Sequence, residues 1–546
     1  MISEPTGANL IGGTEGRQGP QTFTAFDPRN GRPGSVRFHE ATTDEIDRAT
    51  REARVAFESL RAWGNGRVAE LLRAIAGVLE GHRGEVVSTA DQETRLGESR
   101  LEGELTRTTL QILAFADYVE EGSYVEAIID LPDPKARPIP RPDLRRMLVP
   151  LGPVAVFGAG NFPLAFGVPG GDTASALAAR CPVVAKAHPS HPGTSELTAR
   201  IISAAVAEVG APAGTFSLVQ GQGPEVGRAL VLSPHIKAVG FTGSHTVGRA
   251  LHELGATRPE PIPVYAEMGS INPVFVTQGA LRARAEQISE GFVASMTLGS
   301  GQFCTKPGLV FVPDDETGDL FIERTAGLLS QMELGPMLNE RLRGALREKL
   351  ARTTRLEGVA VAFQGRPSEE PGFGCAPTLL AIDCESFLAQ PELLEEHFGP
   401  VSIVVRCPTK RMQEAAEHLP GSLTVTVHAQ PEETDRVRVL QQALVGQAGR
   451  LIWNGFPTGV AVTAAMQHGG PYPATVHREH TSVGLMSIRR FLRPVSYQDT
   501  PQSLLPPELQ DHNPLGILRR LDGEWTRAEA VPVAGQSPAG SAAEGG

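Results

Sequence analysis

The sequence predicts an α/β protein built on two doubly wound sheets, and three observations predict it. From Pro153 the chain repeats a short apolar run, a turn and a helical stretch. After a long helix at about 280–298, a second alternating set runs from Leu309 to Asn454. The 546 residues suffice for two or three packed domains. The first set comprises VAVF at 154–157, PVVAK at 182–186, FSLV at 216–219, KAVG at 237–240, PVYAEM at 263–268 and PVFV at 273–276. Helical stretches at about 194–209, 224–232 and 244–254 lie between them. Apolar strands separated by helices imply parallel sheets covered on both faces.

The elements before and after these sets follow from local signals. The first forty residues, rich in Gly, Pro and Thr, predict extended segments and turns. Thr42 and Glu45 form a capping box for a helix with Ile46, Ala49, Ala53, Phe57 and Leu60 on one face, ended by Gly64. A second helix carries Val68, Leu71, Leu72, Ile75 and Leu79, and helical patterning continues to about Val125. Residues 126–146 are studded with proline and read as an extended arm or hairpin. Met147–Gly171 spans 25 residues without a charge, but its prolines and glycines break any membrane-spanning helix. It reads as a buried strand, a tight loop and a helix start. From Pro506 the periodicity fades into Gly, Ala and Ser, a tail expected to be partly disordered.

Composition narrows the function. The chain is 40% hydrophobic and 21% charged, as globular proteins are. A formal charge of −12 lacks the basic excess of a nucleic-acid binder. Cys181, Cys304, Cys375, Cys384 and Cys407 are odd in number and contain no CxxC pair. They predict neither a disulfide framework nor a metal site, and a reducing compartment. The start, MISEPTGANLIGG, has no basic and apolar leader, so a cytoplasmic location is expected.

Several residues stand where chemistry is done. Gly158-Ala-Gly160-Asn161-Phe-Pro163 follows a strand but has proline where a Rossmann fingerprint needs its third glycine. Gly243–Ala250 has the glycine spacing of a P-loop without its Lys and Ser/Thr. Gly243 and Ser244 nevertheless open a helix, whose N–H groups suit either a phosphate or a plain turn. Asn161 is either a turn residue or a catalytic donor, because a buried amide must find partners. Glu267 closes an apolar strand before Gly269, either as a cap or as a base. Cys304 lies in a glycine-rich turn, GSGQFCTKPG, which suits an accessible nucleophile better than a core thiol. Lys186, Asn161 and Gly243 all follow strand ends of the first set, which converges them on one carboxyl edge.

Together these stretches resemble the aldehyde dehydrogenase superfamily, in the family's order. They are Gly160-Asn161-Phe162-Pro163, the strand into Lys186, Phe241-Thr242-Gly243-Ser244, Glu267-Met268-Gly269, Gly301-Gln302-Phe303-Cys304, Glu395-Glu396-His397-Phe398-Gly399-Pro400 and Trp453-Asn454. The runs FGAGNFPLAFGVPGG and NGFPTGVAVTAAMQHGGPYPAT look like the branch containing α-ketoglutaric semialdehyde (2,5-dioxovalerate) dehydrogenase, and NADP-dependent fatty aldehyde dehydrogenases share part of the pattern. Ser270, often glycine in the family, and His397, often aliphatic, depart from it.

The resemblance implies a domain plan and roles. Residues 1–125 would begin a cofactor-binding domain, 126–148 form an oligomerisation arm, and 149–276 form the nucleotide-binding α/β domain. Residues 277–465 would be the catalytic α/β domain, 466–505 a return segment with an oligomerisation strand, and 506–546 the tail. Cys304 would be the nucleophile, Asn161 with the Cys304 N–H the oxyanion hole, and Glu267 the base that activates water. Gly243 and Ser244 would hold the pyrophosphate, Lys186 the adenosine ribose, and Glu396, with Phe398 nearby, the nicotinamide ribose. NADP is expected as cofactor, with NAD possible, because Pro189 stands where many NAD-preferring relatives carry a glutamate that repels a 2′-phosphate. The expected partners are a small aldehyde and a second copy or copies of the chain, as a homodimer or homotetramer. A CoA-acylating dehydrogenase is disfavoured by Glu267. A cysteine hydrolase would bind no dinucleotide, and an inactive structural relative would lack the nucleophile or the base. Arg107 and Arg478 are the candidate cations for a substrate carboxylate.

Overall fold

The computed structural model describes residues 4–530. Three mixed sheets organise the chain, with a short two-stranded pair, Thr22–Phe23 with Phe38–His39. The first sheet runs, edge to edge, Val264–Glu267, Ala238–Thr242, Val154–Phe157, Val183–Lys186, Phe216–Val219, Asn9–Ile11 and Thr14–Gly16. Its first five strands are parallel, and the N-terminal hairpin adds two antiparallel ones. Register aligns the functional ends: Phe157 pairs with Lys186 and Phe241, and Thr242 with Glu267. Strands such as Val154–Phe157 and Phe216–Val219 are buried along their whole length, as expected of a sheet sandwiched between helices.

The second sheet has the order Ala360–Gln364, Thr378–Asp383, Val401–Cys407, Leu309–Pro313, Val274–Val276, Ser422–His428 and Ala448–Trp453, with only the first strand antiparallel. Phe275 stacks on Phe311 at its centre, ring centroids 4.5 Å apart. Here the sequence reading needs a correction. PVFV at 273–276 continues the rhythm of the first set, yet Val274–Val276 lies in the middle of the second sheet, between Leu309–Pro313 and Ser422–His428. Rhythm along the chain shows where strands occur but not which neighbours they take.

The arm at 126–146 contributes Ile128–Asp130 and the start of Leu144–Pro150 to a third sheet, ordered Leu492–Gln498, Leu144–Pro150, Ile128–Asp130, Arg519–Leu521 and Glu524–Thr526. The last two strands correct the expectation for residues beyond 506. That segment forms a hairpin on the arm, anchored by buried Arg145, which donates to Leu509 O at 2.6 Å and pairs with Asp143 and Asp511 at 2.8 Å each. Two of its apolar residues, Leu509 and Ile517, are buried in the core that the helices Asn65–Gly81 and Glu98–Glu121 share with the first sheet, a tertiary contact that carries no local period. Residues 531–546, where the final disorder was expected, lie outside the described residues.

The predicted helices form close to their expected limits. Thr43–Leu60 has the Thr42–Glu45 capping box, and Pro192–Glu208, Pro224–Leu232, His245–Ala256 and Gln278–Thr297 fill the predicted gaps. Cys384 and Cys407, at the ends of adjacent parallel strands with Cα atoms 4.7 Å apart, are joined in a disulfide. This overturns the expectation of none, because pairing across a sheet is invisible in spacing along the chain. Among the described residues no helix is long and apolar enough to cross a membrane.

Candidate active site

The site lies where the carboxyl edge of the first sheet meets the loop that enters the second. Glu267 ends the edge strand Val264–Glu267 and is buried. Cys304 follows the helix Gln278–Thr297 through a turn in which Gly299, Ser300 and Gly301 all have positive φ. Gly301 has no alternative: a Cβ there would meet the Gly399 carbonyl carbon at 2.3 Å. The turn is held from below by Asn272, fully buried, whose Nδ2 donates to Cys304 O at 2.8 Å and Lys306 O at 3.0 Å. Asn272 Oδ1 in turn accepts from Ser270 Oγ at 2.9 Å and Thr424 Oγ1 at 3.0 Å. Ser270, the departure from the family pattern, therefore helps to clamp the Cys304 loop. His397, the other departure, is buried against Thr353 Oγ1 at 2.9 Å. Burial pulls its pKa to about 3, so it serves there as a neutral core residue.

Cys304 Sγ, Glu267 and His468 form one cluster, their ligand atoms within 4.8 Å of one another. His468 Nε2 lies 3.6 Å from Sγ and 3.2 Å from Glu267 Oε1, and so faces both. Ser482 Oγ donates to Glu267 Oε2 and lies 3.2 Å from His468 O. Burial alone would raise the Glu267 pKa, but the adjoining imidazole and the Ser482 hydroxyl hold it below the ordinary carboxylate value. Burial, then the negative charges of Glu267 and Glu396, push the Cys304 thiol well above its usual range. A thiol in that setting needs a proton acceptor, and Glu267 and His468 both lie against it. Neither His468 nor Ser482 was singled out in the sequence. They reach Glu267 on the return segment, which pairs across the strand end through Met268 N to Ala474 O at 2.8 Å. An MQHGGPYPAT run with a histidine beside two glycines was the available signal.

Asn161 sits on the loop between Val154–Phe157 and Gly171–Ala178, and its Nδ2 donates to Gln302 O at 2.9 Å, two residues before Cys304. That bond ties the amide to the Cys304 turn, and among the described residues it is the only hydrogen bond Nδ2 donates. The backbone N–H of Cys304 finds no protein acceptor among the described residues. Glu396 lies across the end of the Glu267 strand, so close that a Cβ on Gly269 would meet its Oε2 at 2.2 Å. Burial raises the Glu396 pKa to about 7 and lowers that of Lys306 to about 8, while the attraction between the two opposes both shifts. Phe398, two residues on, is half-buried beside it.

The residues at the sheet edge suit a dinucleotide. Gly243 and Ser244 are exposed at the opening of His245–Ala256, where Ser244 caps the helix by accepting from Val247 N. Free N–H groups and the positive helix end there favour a phosphate. Lys186, one strand from the Asn161 loop, donates to Gly221 O at 2.7 Å, and burial lowers its pKa to about 8. His188 and His191, which flank Pro189, are both lowered by burial, His191 to about 4, and so add no charge at neutral pH. Two charges reach Lys186 through space: the Glu40 carboxylate, which accepts from Gln222 N at 2.9 Å, and the exposed Arg341, whose charge also reaches His188.

Residues 15–491 match the aldehyde dehydrogenase family. The chain belongs to that family. It is an oxidoreductase that acts on aldehydes with NAD(P). Among curated proteins it is 46% identical to alpha-ketoglutaric semialdehyde dehydrogenase 2 of Azospirillum brasilense, over 95% of this chain and 99% of that one. It is 40% identical to alpha-ketoglutaric semialdehyde dehydrogenase of Acinetobacter baylyi, over 96% and 100%. The same fold is seen in betaine aldehyde dehydrogenase of Staphylococcus aureus in complex with NAD+, with a TM-score of 0.77, 21% identity and coverage of 91% of this dehydrogenase and 97% of that chain.

Proposed function

We propose that this dehydrogenase oxidises α-ketoglutaric semialdehyde to 2-oxoglutarate, accepts NADP at least as well as NAD, and works as a homodimer or homotetramer in the cytoplasm. The observation that carries the chemistry is the close cluster of Cys304, His468 and Glu267. The substrate is supported by the two relatives of that name, which match nearly end to end.

In this reading the thiol proton passes to the Glu267–His468 pair, and Cys304 Sγ adds to the aldehyde carbon to give a thiohemiacetal. The developing oxyanion accepts hydrogen bonds from the Asn161 amide and the Cys304 N–H, donors whose removal typically costs about 10²–10³ in turnover. A nicotinamide dinucleotide, when bound, supplies the acceptor for the hydride that leaves the same carbon. Gly243, Ser244, Lys186 and Glu396, with Phe398 alongside, would hold it. The thioester that remains on Cys304 is attacked by a water whose proton goes to Glu267, and the thiolate leaves. The balance is aldehyde, water and oxidised cofactor in; carboxylate, reduced cofactor and two protons out. Cofactor preference rests on Pro189 in place of a carboxylate after Lys186 and on two cations, Lys186 and Arg341, set against one carboxylate, Glu40, whose charge also reaches Lys186.

The test is a panel of aldehydes that differ in chain length and in a terminal carboxylate, with each cofactor. The highest kcat/KM is expected for α-ketoglutaric semialdehyde. A preference for long uncharged aldehydes would overturn the substrate, and a tenfold preference for NAD, about 1.4 kcal/mol, would overturn the cofactor reading.

A further inference from the structure

The helix Glu98–Glu121 turns charged residues toward the interior. Arg100, Glu104 and Arg107, at i, i+4 and i+7, share one face and pack against the loop that carries Asn161. Buried charge is costly unless it is paired, and the first two residues are paired in part, Arg100 Nη1 and Glu104 Oε2 remaining without a partner. Arg100 Nη2 donates to Asn161 O at 2.7 Å, and its guanidinium lies over the rings of Phe162 and Phe303 at 5.0 and 4.9 Å. Glu104 Oε1 accepts from Leu164 N at 2.8 Å and Ala165 N at 2.9 Å.

Arg107 is different. Among the described residues its side chain is in no hydrogen bond and no ion pair, and its Nε and Nη2 are buried without a partner. Those two nitrogens form the edge of a guanidinium that matches both oxygens of a carboxylate. The group lies 5.0 Å over the Phe166 ring, whose centroid is 6.2 Å from the His468 ring, itself in contact with Cys304. A buried cation without a hydrogen-bonding partner therefore stands two rings, Phe166 and His468, away from Cys304, and its charge reaches Glu104, Cys304 and Glu267. Arg450 also acts on Cys304, but its Nη atoms are taken by Pro457 O at 2.6 Å and Gly459 O at 3.1 Å. Arg478, the other candidate from the sequence, is exposed.

We propose that Arg107 binds the terminal carboxylate of the substrate side-on and so selects short aldehydes with a carboxylate at the far end. The inference rests on Cys304 as the nucleophile. A carboxylate completes a buried cation that the fold leaves open. An uncharged aldehyde leaves that cation unpaired, so the arrangement discriminates in both directions.

The experiment compares 5-oxopentanoate with pentanal, matched in length, on the wild-type enzyme, Arg107→Gln and Arg107→Lys. The ratio of kcat/KM for the acid over the neutral aldehyde should fall at least about thirtyfold in Arg107→Gln, chiefly through KM, and partly recover in Arg107→Lys. An unchanged ratio, or equal losses on both substrates through kcat, would overturn the proposal in favour of a role toward the thiol. A second measurement needs no turnover and covers a poorly folding Gln variant. Glutarate should slow iodoacetamide alkylation of Cys304 in wild type, and far less in Arg107→Lys. Equal protection in both overturns the carboxylate site. If wild type oxidises neither aldehyde, the aldehyde reading fails on its own, and the protection measurement still decides whether Arg107 binds a carboxylate.

Discussion

At the scale of single residues, two carboxylate and thiol changes separate the steps. Cys304→Ala should lower aldehyde oxidation by at least about 10⁴-fold while the fold persists, because the thiol sits in a turn and contributes little packing. Far-ultraviolet circular dichroism alongside the assay checks both halves. Glu267→Gln should release one equivalent of reduced cofactor per site in a fast burst and then nearly stop, with an acyl group on Cys304 visible by mass spectrometry. Loss of the burst would mean that Glu267 acts mainly on the thiol. His468→Gln separates these roles further. If Nε2 accepts the thiol proton, the burst itself should slow by about 10² or more and recover as pH rises toward the thiol pKa. A burst at the wild-type rate and pH profile would remove His468 from the chemistry. Equivalent residues were legible to different degrees: Cys304 and Glu267 stand in motifs, whereas His468 and Ser482 acquire meaning only from what they touch.

At the scale of elements, the strand end at Lys186 and the opening of His245–Ala256 lie on one carboxyl edge of the first sheet, proposed above to hold the cofactor. Lys186 has its folded pKa lowered by burial to about 8, so its charge is present below that value and lost as pH rises through it. The preference for NADP over NAD should therefore weaken between about pH 7 and 9, well before an ordinary lysine near 10.4 would lose its proton. It should also weaken with salt, since part of it is charge pairing. Lys186→Met should remove most of the pH dependence of the ratio of KM values for the two cofactors. An unchanged profile in that variant would show that Lys186 is not the group that titrates. This register of strand ends was readable before any coordinates, because parallel strands with similar turn residues must present them on the same edge.

At the scale of the whole molecule, the sheets leave edges open. Ala448–Trp453 is the last strand of the second sheet, and Leu492–Gln498 the first of the third, each with one side unpaired within the chain. Trp453 is 45% exposed at the end of its strand. Unpaired edges of this kind are templates for strand addition, which a second copy can satisfy. Trp453→Glu should shift the sedimentation profile toward monomer while leaving the circular dichroism spectrum unchanged. An unaltered assembly would place the contact elsewhere, for example on the exposed Trp525 of the terminal hairpin.

The sequence alone determined whatever depends on local physics. The period of apolar residues set the strands and helices, the Thr42–Glu45 box set a helix start, and the glycines around Cys304 and Gly243 marked turns where a side chain or a phosphate must come close. Only the tertiary structure decided which strands became neighbours and which distant side chains met. It moved Val274–Val276 into the second sheet, ordered residues 507–530 on the arm and joined Cys384 to Cys407. It also carried His468 to Cys304 across 164 positions and left Arg107 open beside them. The reason is physical: pairing, burial and desolvation are properties of what surrounds a group in space, and no window along the chain contains those surroundings.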